Sequence, residues 1–191
     1  MTAQKRTEHV AVDPAVLDAT VAVVADGGWD RLSLERVAAK AGVSRVTLWR
    51  QGVTRDGLVD SLLVRLSEDY RDAMWPVLTA SGTGRDRLEA ALAALCDVAD
   101  RHLELLSAAD DAFHRAWRAN PSARFLEPFV RAFEDGAADG TLRTLGPAID
   151  AADAVFNTVC WPYVHLRARH GWQAEKARGL VLPLVLQGVA A

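Results

Sequence analysis

The side chains best suited to binding chemistry lie in one short basic segment, residues 31–55. It carries six basic residues and one acidic residue, a net charge of +5, whereas residues 58–191 carry 14 basic and 18 acidic residues. The basic residues are Arg31, Arg36, Lys40, Arg45, Arg50 and Arg55. Because guanidinium and ammonium groups neutralise phosphates, a basic end on an acidic body favours contact with nucleic acid through that end. On charge alone, a solvated helix face is the simpler interpretation.

The same segment has the pattern of two short helices joined by a tight turn. Ser33 and Ser44 are good N-caps, and Gly42 supplies a left-handed turn residue between them. The residues expected to face inward and hold the two helices together are Val37, Ala38, Val43 and Leu48. This spacing predicts a helix-turn-helix, whose second helix enters the major groove of DNA.

The second helix of this pair, predicted over residues 45–51, would present its exposed side chains to DNA. Arg45 lies where a guanine O6 and N7 would be read, and Val46 lies where a thymine methyl would be touched. The residues placed to bond phosphates, which position the protein without reading sequence, are Ser44, Thr47, Trp49, Gln51 and Arg55. An unrelated helical hairpin is the alternative, but the joint match of spacing, caps and basic face favours DNA binding.

Residues 14–62 resemble the DNA-binding region of the TetR family of bacterial transcription regulators. The matching residues are Leu34, Val37, Ala38, Ala41-Gly42-Val43-Ser44, Thr47-Leu48-Trp49 and Leu58. The resemblance implies phosphate contacts for Trp49, where the family usually has tyrosine, and for Arg55, where it has lysine. A histidine is common in the family where this chain has Gln51. Gly52 replaces a bulky apolar residue, which removes burial worth about 1.5–3 kcal/mol and is expected to end the recognition helix early.

The elements that must position this segment are predicted to be helices. Alanine, leucine and arginine favour helix along the whole chain, and no alternating apolar run indicates a strand. We therefore expect an all-α fold of about nine helices, the first of which begins at Asp13-Pro14 and stops at Gly27-Gly28. The others are predicted over residues 34–41, 45–51, 54–78, 86–107, 110–119, 121–135, 148–170 and 173–188.

The resemblance also implies two domains with different tasks. Residues 1–55 would be the DNA-binding domain, and residues 56–191 would bind a small molecule and form a homodimer through the last two long helices. Composition agrees with dimerisation, because a helix that is apolar nearly all round needs partners on every side. The apolar residues of the last helix are Leu180, Val181, Leu182, Leu184, Val185, Leu186 and Val189. Filling the core of its own subunit is the alternative.

Aromatic residues concentrate in the middle and late helices and would suit an apolar or aromatic ligand. The candidate pocket residues are Trp75, Cys96, Phe113, His114, Trp117, Phe125, Phe129, Asn157 and Trp161. For each residue taken singly, an ordinary place in the core or on the surface is the alternative.

Signals of catalysis or metal binding are weak. Residues 81–84 lack the lysine of a phosphate-binding loop, and no paired-cysteine or paired-histidine zinc motif occurs. Asp110, Asp111 and His114 have a helical spacing that could contact a metal, but a solvated helix start explains them more simply. His165 and His170 are five residues apart, which is a poor helical spacing for shared ligation. We expect no enzyme activity, no cofactor and no metal.

The chain begins without the apolar segment of a signal peptide and has no run of about 18 apolar residues. Its two cysteines suit buried thiols in a reducing compartment, so we expect a cytoplasmic protein.

The sequence as a whole predicts a dimeric transcription regulator, most simply a repressor. Its two recognition helices would lie about 34–36 Å apart on a near-palindromic operator. An effector would release it by favouring a conformation in which the two DNA-binding domains are wrongly spaced. The alternatives are a constitutive DNA-binding dimer without a ligand, and a helical ligand-binding protein or enzyme that has lost DNA binding.

Overall fold

The computed structural model describes residues 12–108 and 125–191, and helices dominate both ranges. The nine α-helices of these ranges are α1 (Pro14–Gly27), α2 (Leu34–Ala41), α3 (Arg45–Arg50), α4 (Arg55–Thr79), α5 (Gly84–Arg101), α6 (Leu103–Ser107), α7 (Glu127–Asp139), α8 (Ala148–Ala168) and α9 (Ala174–Val189). A short 3-10 turn at Trp29–Arg31 follows α1. The all-α prediction is confirmed. The helix predicted over residues 110–119 lies outside the described residues.

The chain forms two compact units. Within the described ranges, the first unit comprises residues 12–65 and residue 108, and the second comprises residues 66–107 and 125–191. The division falls inside α4, so this helix contributes residues to both units.

Local capping explains where the helices of the first unit begin. The Asp13 carboxylate accepts a hydrogen bond from the Ala15 N–H at 2.8 Å, and Pro14 takes the first helical position of α1. At the start of α4, the Thr54 hydroxyl accepts from the Gly57 N–H at 3.0 Å. These starts are the predicted ones. Helices α1 and α2 pack together over a core whose buried residues include Val16, Leu17, Val24, Val37, Leu48, Leu58 and Leu62.

In the second unit, α5 and α7 approach unusually closely at two glycines. A Cβ atom on Gly84 would lie 2.1 Å from the Gly136 nitrogen, so only glycine fits at this crossing. The Asp139 carboxylate, at the end of α7, accepts a hydrogen bond from the Gly84 N–H at 2.7 Å. Hydrogen bonds from Thr141 and Gly84 hold the pKa of Asp139 below its ordinary value. The two helix ends are thereby joined through backbone contact and a carboxylate.

A cluster of charged side chains joins α5, α8 and α9. Asp100 on α5 accepts hydrogen bonds from the Tyr163 hydroxyl at 2.7 Å and from Arg167 Nε at 2.6 Å. Arg178 on α9 donates to the same carboxylate at 2.7 Å and also pairs with Asp97 at 2.6 Å. Burial by itself raises the pKa of Asp100, but the three donated hydrogen bonds outweigh it and hold the pKa below 3.8. The cluster therefore depends on an ionised Asp100.

Two predicted helices of this unit have different bounds, for reasons that lie in tertiary contacts. The helix predicted over residues 86–107 breaks at His102, whose buried imidazole nitrogen lies 2.7 Å from the Asp69 carboxylate on α4. The helix predicted over residues 121–135 is α7, Glu127–Asp139. It continues through Gly136, where a Cβ atom would lie 2.6 Å from the Leu142 side chain, and ends at Gly140 with a left-handed φ of 76°.

Candidate DNA-binding site

The turn between α2 and α3 is built by two serine caps and one left-handed glycine. The Ser33 hydroxyl accepts from the Arg36 N–H at 3.3 Å and begins α2. Gly42 adopts a φ of 70°, which reverses the chain, and the Val43 N–H bonds the Ala38 carbonyl at 3.0 Å. At the start of α3, the Ser44 hydroxyl accepts from the Thr47 N–H at 3.0 Å. The predicted helix-turn-helix is thus present with both predicted caps.

Three of the four residues expected to face inward are buried. Val37, Ala38 and Leu48 are at most 3% exposed. The expectation for Val43 is wrong, since its side chain is 37% exposed. Its N–H turns back toward α2 to bond Ala38, and the side chain is left at the surface beside α3.

The recognition helix α3 exposes apolar and basic side chains together. Val46 is 54% exposed and Trp49 is 72% exposed, while Arg45 and Arg50 are also exposed. Val46 and Trp49 are three residues apart and therefore share one face of α3, and adjoining exposed apolar side chains are typical of a contact surface. The Ser44 and Thr47 hydroxyls lie 2.8 Å apart in the same exposed region. These positions match the predicted interface, and their contacts with DNA remain a prediction.

Arg45 has a partner that sequence reasoning missed. Its Nε lies 2.9 Å from a carboxylate oxygen of Glu35 on α2. Both side chains are more than half exposed, so the pair contributes little to stability, about 0–1 kcal/mol. Because the pair uses Nε, the terminal nitrogens of Arg45 can still make a two-point contact with guanine. Glu35 therefore orients the proposed base-reading side chain.

Arg55 also makes contacts that the sequence did not predict. Its Nε donates to the Leu32 carbonyl at 3.2 Å, and its Nη2 donates to the Trp29 carbonyl at 2.9 Å. These bonds join the start of α4 to the 3-10 turn after α1. Arg55 remains an exposed residue, so the structural bonds and the proposed phosphate contact are compatible, since arginine carries five N–H donors.

Gly52 ends the recognition helix in the way the sequence suggests. The helix α3 stops at Arg50, and Gly52 adopts a left-handed φ of 72°. Gln51, the last of the proposed contact residues, is the exposed C-cap of α3. The next residue, Val53, is 5% exposed and fills the core there. A bulky side chain at position 52 would be strained by this backbone conformation. The buried Val53 therefore occupies the core at the end of α3, and Gly52 provides the turn.

The described members of the predicted pocket divide between core and surface. Cys96, Phe125 and Phe129 are buried, whereas Trp75 is 64% exposed. Asn157 is exposed and accepts a hydrogen bond from the Trp161 indole N–H at 3.1 Å. The other candidates, Phe113, His114 and Trp117, lie outside the described residues.

The buried candidates also have aromatic neighbours outside the predicted set of pocket residues. The Tyr70 ring lies edge-on to Phe125 with centroids 4.5 Å apart, and Phe156 lies 5.7 Å from Phe129. Burial raises the pKa of Cys96 to about 12, which keeps the thiol neutral. Cys96 therefore offers a ligand an apolar contact rather than a charge. Phe125 and Phe129 each pack against a further aromatic ring in the second unit.

Comparisons with known proteins bear on both units. Residues 16–62 match the family model of bacterial regulatory proteins, tetR family. No curated protein sequence matches the chain significantly. Among solved structures, the ketosteroid transcriptional regulator KstR2 of Mycobacterium tuberculosis is similar, with 17% identity and a TM-score of 0.76 over 92% of this chain and 93% of that one.

Two further similar structures contain ligands. The regulator FadR from Bacillus subtilis, in complex with stearoyl-CoA, has 16% identity and a TM-score of 0.74 over 91% of this chain and 97% of that one. SmeT in its triclosan complex has 18% identity and a TM-score of 0.69 over 93% of this chain and 90% of that one. At such identities the likeness establishes the fold.

A capped helix-turn-helix with an exposed basic recognition helix defines a DNA-binding protein of the helix-turn-helix class. Residues 16–62 are similar to the segment that the family model of bacterial regulatory proteins, tetR family, describes. The chain is a DNA-binding transcription regulator, and the fold of known regulators extends over nine-tenths of it. In the part of the chain that the structure describes, no helix is long and apolar enough to cross a membrane.

Proposed function

We propose that the protein is a cytoplasmic, homodimeric repressor that a small apolar or aromatic molecule releases from a near-palindromic operator. The observation that best supports sequence-specific DNA binding is the surface of α3, where Arg45, Val46 and Trp49 are exposed together. Residues 1–55 would bind DNA, and residues 56–191 would bind the ligand and the second subunit. The protein acts by binding and not by catalysis.

On the operator, each exposed group of α3 has a distinct task. Arg45 reads a guanine, oriented by Glu35 at 2.9 Å, and Val46 contacts a thymine methyl. The groups that bond phosphates are those of Ser44, Thr47, Trp49, Gln51 and Arg55. Because phosphate contacts release counterions, operator affinity falls steeply with salt.

Selection from a random pool of DNA duplexes tests the DNA-reading proposal. We expect enrichment of a near-palindrome whose half-sites are about 34–36 Å apart, one turn of DNA. Fluorescence anisotropy at two salt concentrations should then show a preference of at least about 10³ over a scrambled duplex. If selection enriches no sequence, and both duplexes bind weakly and equally, the proposal that the protein recognises a specific operator would be contradicted.

The proposal that a ligand releases the protein from its operator is supported by the ligands of similar regulators. The similar regulator FadR is in complex with stearoyl-CoA, which joins an apolar acyl chain to a charged coenzyme, and SmeT is in complex with triclosan, an apolar aromatic molecule. In this chain, the buried aromatic residues Phe125, Phe129 and Phe156 supply a comparable apolar interior. An apolar compound that lowers operator affinity at fixed salt would support release. If no compound in a panel of apolar molecules releases the dimer from its operator, the result would favour the alternative of a constitutive DNA-binding dimer.

The last two helices support dimerisation through their exposed apolar side chains. Leu180 is 50% exposed and Leu184 is 72% exposed on α9, while Ile149 is 50% exposed on α8. The alternative, in which the last helix only fills the core of its own subunit, leaves these exposed side chains unexplained. A second copy of the chain, related by a two-fold axis, would cover this surface and form a four-helix interface.

Leu184→Glu is expected to shift the protein from dimer to monomer, because the new carboxylate would be desolvated at the interface. Sedimentation velocity should give twice the 20.7 kDa chain mass for the unaltered protein and the chain mass for the variant. Ala90→Glu places the same charge at an exposed position of α5 and should leave the dimer intact. A Leu184→Glu protein that remains dimeric would place the interface elsewhere.

A further inference from the structure

Two histidines face each other at the C-terminal end of α8. His165 lies in the last turn of the helix, and His170 lies just beyond its end at Ala168. Their Nε2 atoms are 3.2 Å apart, and their ring centroids are 5.0 Å apart. The two rings meet although a five-residue spacing separates side chains on a continuous helix, because α8 ends at Ala168, before His170. The chain turns after α8 and brings His170 back beside His165.

The turn that carries the second histidine is held from both sides. Gly171 adopts a left-handed φ of 62°, and the Trp172 N–H donates to the Leu166 carbonyl at 3.1 Å. The Arg167 guanidinium donates to the Trp172 carbonyl. The Lys176 ammonium lies 4.0 Å above the centroid of the Trp172 ring. The two imidazoles are therefore brought together by contacts that need no bound ion, which lowers the ordering cost of binding one.

The distance between the two nitrogens fits a shared cation. Two imidazole nitrogens at about 2.0–2.1 Å from a tetrahedral zinc ion lie roughly 3.3 Å apart. Imidazole is also a preferred ligand of divalent copper and nickel. We propose that His165 and His170 form a two-ligand site for a divalent transition-metal cation, with Zn²⁺ as the geometric fit and water in the remaining positions.

The surroundings make this an exchangeable site. Both histidines are exposed, so water can complete the coordination. In residues 12–108 and 125–191 there is no group of three or more histidine, cysteine or acidic side chains that could hold a metal, so the pair would bind without a third protein ligand. The adjacent Arg167 is neutralised by Asp100 at 2.6 Å, which limits its repulsion of a cation. The inference is independent of DNA binding.

Calorimetric titration of Zn²⁺ into the tag-free protein, in a buffer without chelating components, tests the proposal. We expect one ion per chain at the pair. His165→Ala and His170→Ala should each weaken this binding at least about tenfold, since even loss of an outer-shell partner costs that much. His114→Ala is the matched control and should leave the affinity unchanged. It also reports on the alternative group of Asp110, Asp111 and His114.

Nuclear magnetic resonance of the imidazole Cε1–H signals supplies a second measurement, which identifies the histidines that bind the ion. Signals of both histidines should shift on addition of Zn²⁺ and return on addition of a chelator. A hydrogen bond between the two rings without metal binding would leave both signals in place, and this result would overturn the proposal. Loss of binding in His114→Ala, or equal binding by both pair variants and the unaltered protein, would overturn it as well.

Discussion

Arg45→Ala is expected to weaken binding to the selected operator by about 1–3 kcal/mol and to relax base preference at one position of each half-site. The physical reason is the loss of a two-point contact between a guanidinium and guanine. The side chain is exposed on α3 and is oriented by Glu35 at 2.9 Å, so its removal leaves the core of the first unit intact. Anisotropy titrations on the operator and on single-base variants measure both effects.

Two further variants distinguish recognition of the base sequence from sequence-independent binding to the phosphates. Arg55→Ala should weaken binding to every duplex and lower the salt slope by about one, because it removes a phosphate contact. Its unfolding free energy must be measured too, since Arg55 also bonds the Trp29 and Leu32 carbonyls. Glu35→Gln should broaden base preference with a smaller loss of affinity. An Arg45→Ala protein that keeps the full preference of the original would remove Arg45 from the reading surface.

Asp100→Asn is expected to lower the free energy of unfolding of the second unit by about 2–4 kcal/mol. The substitution keeps the shape of the side chain but removes the charge that Arg167 and Arg178 share. These three side chains are 20–29% exposed, so their charges are only partly screened by water. Urea unfolding at neutral pH, followed by circular dichroism, measures the difference.

The pH dependence of this difference has a definite sign. The pKa of Asp100 is held below its ordinary value of 3.8, so its contribution is fully present above that pH. The contribution is lost as the pH falls through the lower, folded-state pKa. The difference between the two proteins should therefore be constant from about pH 7 to pH 5 and shrink in more acidic solution.

The neighbouring carboxylate supplies a matched control. Asp97 pairs with Arg178 at 2.6 Å but is 59% exposed, so Asp97→Asn should cost about 0–1 kcal/mol. Equal losses for the two substitutions would mean that burial of the Asp100 cluster contributes nothing to stability. A loss for Asp100→Asn that persists unchanged in acid would show that the ionised carboxylate is not its source.

The sequence by itself determined the local features of this protein. Helix starts at Asp13, Ser33, Ser44 and Thr54 could be predicted, because a capping side chain bonds an N–H only two or three residues further along. The turn at Gly42 could be predicted for a similar reason. Together with the basic segment, these signals were sufficient for the helix-turn-helix and for its resemblance to a family.

Tertiary structure decided whatever depends on partners distant in the chain. His102, at the break between α5 and α6, contacts Asp69, which lies 33 residues earlier, and Gly84 approaches the backbone of Gly136 in another helix. The second role of Arg55 depends on carbonyls more than twenty residues earlier.

The histidine pair shows the same limit at short range. His165 and His170 are only five residues apart, yet they meet because the chain leaves the helix between them. Helical spacing assumes a continuous helix, whereas this helix ends at Ala168, and Arg167 and Lys176 contact Trp172 in the turn that follows.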